Sequence, residues 1–260
     1  MMISKINLND NFLRSLALLV TVYLASFYGT TLILNILDIA GRAYSNLIIN
    51  GVFLLISIGS IHLFGLNAED VGLKILPQRL ALHVKLSLAL FTMYWLYYLL
   101  VVRISGLRPF TSAMVWGLLN YLLVAISEEI YFRGLWYHIV EKRFSGRAAL
   151  LISGLVFGLS HYRQGLGMLP KLFTGCLWGS VRCATGMIFL LIPVHFTYNA
   201  VWFLFQGDWD NQTIIVYLFP LFELLIAILI VVCFKRAKKL TDIEKVSTSL
   251  DSLNQIFKEL

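Results

Sequence analysis

The stretch MVWGLLNYLLVAISEEIYFRGLWYHI, residues 114–139, is apolar and long enough to cross a bilayer, yet it carries Glu128, Glu129 and Arg133 in its middle. A membrane helix needs about 20 apolar residues. A charged side chain at that depth costs roughly 2.5–3.5 kcal/mol on insertion scales, so charges there mark function or pair with one another. Two later apolar stretches hold polar pairs at helical spacing, Phe157 with His161 and His195 with Asn199. Three polar clusters on three membrane helices point to an active site inside the membrane.

The rest of the chain has the same character. It is 59% hydrophobic and 13% charged, with a mean hydropathy of +0.80, which excludes an ordinary soluble domain. We read an all-α, polytopic transmembrane bundle of eight spans: 13–37, 46–64, 84–102, 113–139, 148–162, 168–185, 187–206 and 213–234. The first is too long for the apolar region of a signal peptide. Gly165, Gly167 and Pro170 interrupt the chain between the fifth and sixth spans, where a tilted or re-entrant segment would fit. Residues 65–83 read as an interfacial connector. The whole divides into N-terminal transmembrane helices and connector (1–112), a catalytic helical core (113–206), a last transmembrane helix (207–234) and a basic amphipathic cytoplasmic tail (235–260).

The net charge of +7 does not indicate nucleic acid, because membrane proteins concentrate Lys and Arg in cytoplasmic segments. With both termini in the cytoplasm, 15 of the 21 Lys and Arg residues fall inside and 5 outside, with Arg133 within a span. That bias supports the eight-span topology. In the tail, Leu240, Ile243, Val246, Leu250, Leu253 and Ile256 follow helical spacing behind the basic run Lys235–Lys239, as in a segment that lies on an anionic surface.

Depth and angle then test the polar clusters. Counted from the inner boundary at 1.5 Å per residue, Glu128, His161 and His195 lie roughly 12–20 Å deep. Glu129 and Arg133 are an i,i+4 ion pair. Glu128 points about 100° away from Glu129 on a regular helix wheel, so the two carboxylates need not share a role: Arg133 can neutralise Glu129 while Glu128 faces something else. His195 and Asn199 share a face. Alone, each histidine reads as a packed, hydrogen-bonded residue, and His62, His83 and His138 are left at that reading. Trp136, Tyr137, Trp202 and Trp209 suit interfacial aromatic belts. The Asn211-Gln212-Thr213 sequon is short and carries little. Cys176 and Cys183 are about 10 Å apart along a helix, too far for a disulfide.

Glu-Glu-x3-Arg, Phe-x3-His and His-x3-Asn, in that order and at one depth, resemble the motifs of the CPBP family of intramembrane proteases (the CAAX-protease, bacteriocin-processing or Abi family). The resemblance covers residues 113–206. It implies a glutamic-type, CAAX-prenyl-endopeptidase-like protease whose general base is Glu128. His161 would hold and polarise the attacking water. His195 and Asn199 would donate hydrogen bonds to the oxyanion, with Glu129 and Arg133 behind them. Neutral imidazole and amide N–H groups suit such a hole. The resemblance implies no cofactor. The runner-up is zinc on Glu128, His161 and His195, a His₂Glu set with an open position.

Other membrane-protease chemistries lack their residues here: there is no His-Glu-x-x-His, no Gly-x-Ser-Gly, no Gly-x-Gly-Asp and no intramembrane aspartate pair. The expected substrate is a membrane-associated peptide or protein, and the expected location a prokaryotic cytoplasmic membrane. Two rivals remain at this stage: a non-enzymatic immunity or scaffold protein held together by the same polar residues, and a proton-coupled transporter using Glu128 and the histidines as a relay.

Overall fold

Prolines, a serine cap and glycines set the ends of the helices in the computed structural model, which describes residues 12–42, 44–207 and 218–233. Helix α1 spans Phe12–Ile36, α2 Ser45–Leu63, α3 Pro77–Val101 and α4 Ser112–Arg143. Helix α5 spans Gly146–Ser160, and a 3₁₀ turn, Tyr162–Gly167, leads into α6, Met168–Thr185. Helix α7 is Leu191–Leu204 and α8 is Leu218–Cys233. The eight helices correspond one for one to the predicted spans, and the fold is an all-α membrane bundle. Helices α1 to α4 are long and apolar enough to cross a bilayer, and α5 and α8 are shorter apolar helices.

The boundaries differ from the sequence reading in one informative place. Helix α3 begins at Pro77 rather than at residue 84. Proline's fixed φ and missing N–H suit the first position of a helix. Hydropathy alone placed the start later because Gln78, Arg79 and His83 dilute the first turns, although helix continuation needs no apolar residue. The connector is accordingly only residues 64–76. It is docked rather than free: the Arg182 guanidinium donates to the Asp70 carbonyl at 2.7 Å and to the Gly186 carbonyl. At the opposite end of these helices, β1 (Gly106–Leu107) pairs antiparallel with β2 (Phe205–Gln206), tying the α3–α4 loop to the end of α7.

Helices α5 and α6 approach at backbone distance. A Cβ at Gly158 would lie 2.7 Å from Leu172 Cβ and 2.9 Å from its Cα, and one at Gly154 would lie 2.9 Å from the Cys176 nitrogen. Gly175 faces Gly154 from the other side. Small residues four apart on each helix give membrane helices this closeness, and dispersion then holds them.

Helix α4 is the centre of the bundle. Its segment Glu129–Trp136 is a π-helix in which every residue is buried. Ile130, Tyr131, Phe132, Leu135 and Trp136 enter the core with Phe53, Phe157 and Trp178. Trp136 and Tyr137 are therefore core residues, not belt residues; they are 4% and 1% exposed. Hydropathy alone does not separate the two, because an aromatic ring fills a protein interior as readily as a headgroup layer. The tail at 235–260, Trp209 and the sequon lie outside the described residues.

Candidate active site

Glu128 closes the regular part of α4 and Glu129 opens its π segment. Helix α6 ends at Gly186, whose φ of 75° is the left-handed conformation that glycine adopts without penalty. The chain turns there, and α7 runs back so that His195, its fifth residue, faces both carboxylates. His195 Nδ1 is 2.9 Å from Glu129 Oε1, and Nε2 is 3.6 Å from Glu128 Oε2. The two carboxylates thus lie on either side of one ring. Side chains that leave a helix about 100° apart can still clasp a ring set between their directions.

Behind this clasp is Arg133. Its guanidinium lies 3.3 Å from Glu129 Oε1, so the expected i,i+4 pair is present and fully buried. Neither terminal nitrogen makes a hydrogen bond. The guanidinium instead lies over the Phe157 ring at 4.1 Å and 5.1 Å from the Trp178 ring. Trp178 also stacks against His195 with a centroid separation of 4.4 Å.

His161 caps the C-terminus of α5. Its Nδ1 is 2.9 Å from the Phe157 carbonyl, which can only accept. Nδ1 therefore carries the ring proton, and Nε2 is left as an acceptor. The same logic applies to His195. Glu129 takes the Nδ1 proton, so a neutral His195 would offer a lone pair at Nε2. Only the imidazolium presents an N–H there.

Glu128, His161, His195 and Asn199 line one cavity of about 190 Å³, with Lys171, Thr174, Trp178 and Tyr198 among its other walls. A second cavity of about 420 Å³, between α1, α2 and the turn after α5, shares Glu128 and His161 with the first. Among the described residues, no three His, Cys, Asp or Glu side chains stand together as a metal site. The ties of His161 and His195 run through Nδ1, a bond that metal-bound histidines also make, so the metal question is decided by the chelator test below.

Two residues of this region escaped the sequence reading. Glu223 in α8 is 1% exposed. It accepts hydrogen bonds from Tyr94 Oη at 2.6 Å and Thr174 Oγ1 at 2.8 Å, while Trp178 Nε1 donates to Tyr94 Oη at 2.9 Å. A carboxylate in an apolar span was the signal that singled out Glu128, and it was available for Glu223 too. Lys171 stands at the start of the predicted sixth span, 168–185, and was given no role at the site.

Residues 109–201 match the family described as Rce1-like, type II CAAX prenyl endopeptidase Rce1-like. No curated protein matches the chain.

Proposed function

We propose, from the premise that residues 109–201 belong to the CAAX-protease family, that this chain hydrolyses a peptide bond inside the membrane with a glutamate-activated water. The coarser part of that statement needs no proposal: the family match supports a CAAX-type intramembrane endopeptidase, an integral membrane protein acting on a peptide or protein substrate. The observation that carries the finer reading is the meeting of Glu128, His161, His195 and Asn199 around one cavity.

In this reading water sits between the Glu128 carboxylate and the bare Nε2 of His161. Glu128 takes a proton as the water oxygen bonds to the scissile carbonyl carbon. The carbonyl oxygen becomes an oxyanion and accepts hydrogen bonds from Asn199 Nδ2 and from Nε2–H of His195, which must then be the imidazolium. Collapse breaks the C–N bond, and Glu128 returns the proton to the leaving amine. No acyl-enzyme forms and no metal takes part. Glu129 orients His195 through Nδ1 and is balanced by Arg133. The cytoplasmic placing of both termini and a prokaryotic cytoplasmic membrane belong to the same proposal and rest on the charge bias.

The test uses purified protein in proteoliposomes and a farnesylated fluorogenic peptide ending in a CAAX sequence. Glu128→Gln and His161→Ala should abolish cleavage while the protein still inserts. His195→Ala and Asn199→Ala should each lose about 10²–10³ in rate, the usual loss for one oxyanion donor. Activity should survive chelator dialysis. Near-normal turnover in Glu128→Gln sinks the assignment, and stoichiometric zinc whose removal and return switch activity off and on sinks the metal-free mechanism.

A further inference from the structure

Lys171 stands in the wall of the catalytic cavity, and the mechanism above does not use it. Its ammonium rests over the Tyr198 ring, 4.8 Å from the centroid. Among the described residues no hydrogen bond or ion pair engages Nζ. Glu128 and Glu223 attract it through space, but neither carboxylate reaches it in an ion pair, and Glu223 is engaged by Tyr94 and Thr174. A ring face offsets only part of the cost of taking an ammonium out of water. Lys171 also lies in the first turn of α6, where the positive end of the helix dipole adds to its own charge. Nζ therefore has room for a direct anionic partner that neither Glu128 nor Glu223 supplies.

The layout of the two cavities says where that anion comes from. They meet at Glu128 and His161. A peptide with its scissile bond at Glu128 must send one arm into the larger cavity and the other toward Lys171. The smaller cavity, about 190 Å³, has room for only a short length of chain. A cation at its wall repels a terminal ammonium and attracts a carboxylate.

We propose that Lys171 is a carboxylate anchor that binds an acidic group on the C-terminal side of the scissile bond and so sets the direction in which the peptide threads. This rests on the protease reading above. The carboxylate is either the chain terminus or a nearby acidic side chain. In both cases a cut close to the C-terminus follows from the small volume of the cavity, and removal of a leader far from the C-terminus does not.

The experiment compares three farnesylated fluorogenic peptides that differ only at the end: a free acid, a carboxamide, and a carboxamide with Asp as the last residue. Wild type should prefer the acid over the plain carboxamide by about tenfold or more in kcat/KM, mostly through KM, as expected for a charge-assisted contact. Lys171→Met should collapse that ratio to about threefold or less, and Lys171→Arg should keep most of it, because Arg still offers charged donors. Asp-carboxamide cleaved like the acid identifies the side-chain source; cleaved like the plain carboxamide, it identifies the terminus. Glu128-dependent cleavage of all three at equal rates by wild type overturns the anchor and leaves the protease reading standing. A preference that Lys171→Met does not change overturns it as well. No Glu128-dependent cleavage of any peptide overturns both readings. If Lys171→Met fails to insert, the wild-type ratio and its retention in Lys171→Arg still decide.

Discussion

Replacing Glu129 with Gln asks what the buried pair contributes. Gln is nearly isosteric, so its Oε1 can still accept from His195 Nδ1, which stands 2.9 Å away in the native protein. What it removes is charge. Arg133 is 1% exposed and lies 3.3 Å from that oxygen. After the substitution its compensation is the faces of Phe157 and Trp178 and the less direct attraction of Glu128. Stranding a buried charge costs about 3–5 kcal/mol. Contacts already present in the native state cannot offset a new loss, so we expect about 3 kcal/mol of destabilisation. At about 2–4 °C per kcal/mol for a chain of this size, the melting midpoint in detergent should fall by roughly ten degrees, with turnover lower as well. Arg133→Met alone should do similar damage by stranding the carboxylate. The double variant Glu129→Gln/Arg133→Met removes both charges and should be markedly more stable than the two single losses added together. Additive losses in the cycle, or full stability in Glu129→Gln, would refute the argument that the pair is held by mutual neutralisation. Single variants that are fully stable but inactive would make Glu129 a direct participant in the chemistry.

Two further outcomes test the architecture. Gly158→Ala puts a methyl 2.7 Å from Leu172 Cβ; forced separation of α5 and α6 should cost about 1–3 kcal/mol and, by shifting His161 against Lys171, about 10²-fold in turnover. Gly59→Ala, which meets nothing within 4 Å, is the control, and equal behaviour of the two variants refutes the close-approach argument. In a background without native cysteines, Trp209→Cys should react with an impermeant maleimide from outside and Arg143→Cys only after permeabilisation; the reverse pattern at both positions would invert the topology and change the substrate pool.

Relations within one helical turn were legible before any fold was known. Glu129 with Arg133, Phe157 with His161 and His195 with Asn199 are each four residues apart, and a helix places such pairs on one face whatever surrounds it. Depth placed Glu128, His161 and His195 in one layer; that they and Asn199 line one cavity was not legible from depth. The π segment Glu129–Trp136 was not legible, because it is buried all round and leaves no polar face from which to read a period. The glycine contact between α5 and α6 was written in Gly154-x3-Gly158 and Gly175-x3-Gly179 and went unread beside the charged motifs.

The relations that stayed hidden are those between helices, and they decide the chemistry. Glu129 and His195 are 66 residues apart and Thr174 and Glu223 are 49 apart; neither spacing has any helical meaning. Both contacts depend on how closely backbones approach and on where Gly186 turns the chain. The contact between Glu129 and His195 also changes what the motif means. Spacing puts His195 and Asn199 on one face, and the family resemblance implies that His195 is a neutral donor there. Seated between two carboxylates, with Nδ1 already donating to Glu129, it can serve an oxyanion only as a cation. A motif thus names the groups at the site, and packing sets the protonation state in which each can act.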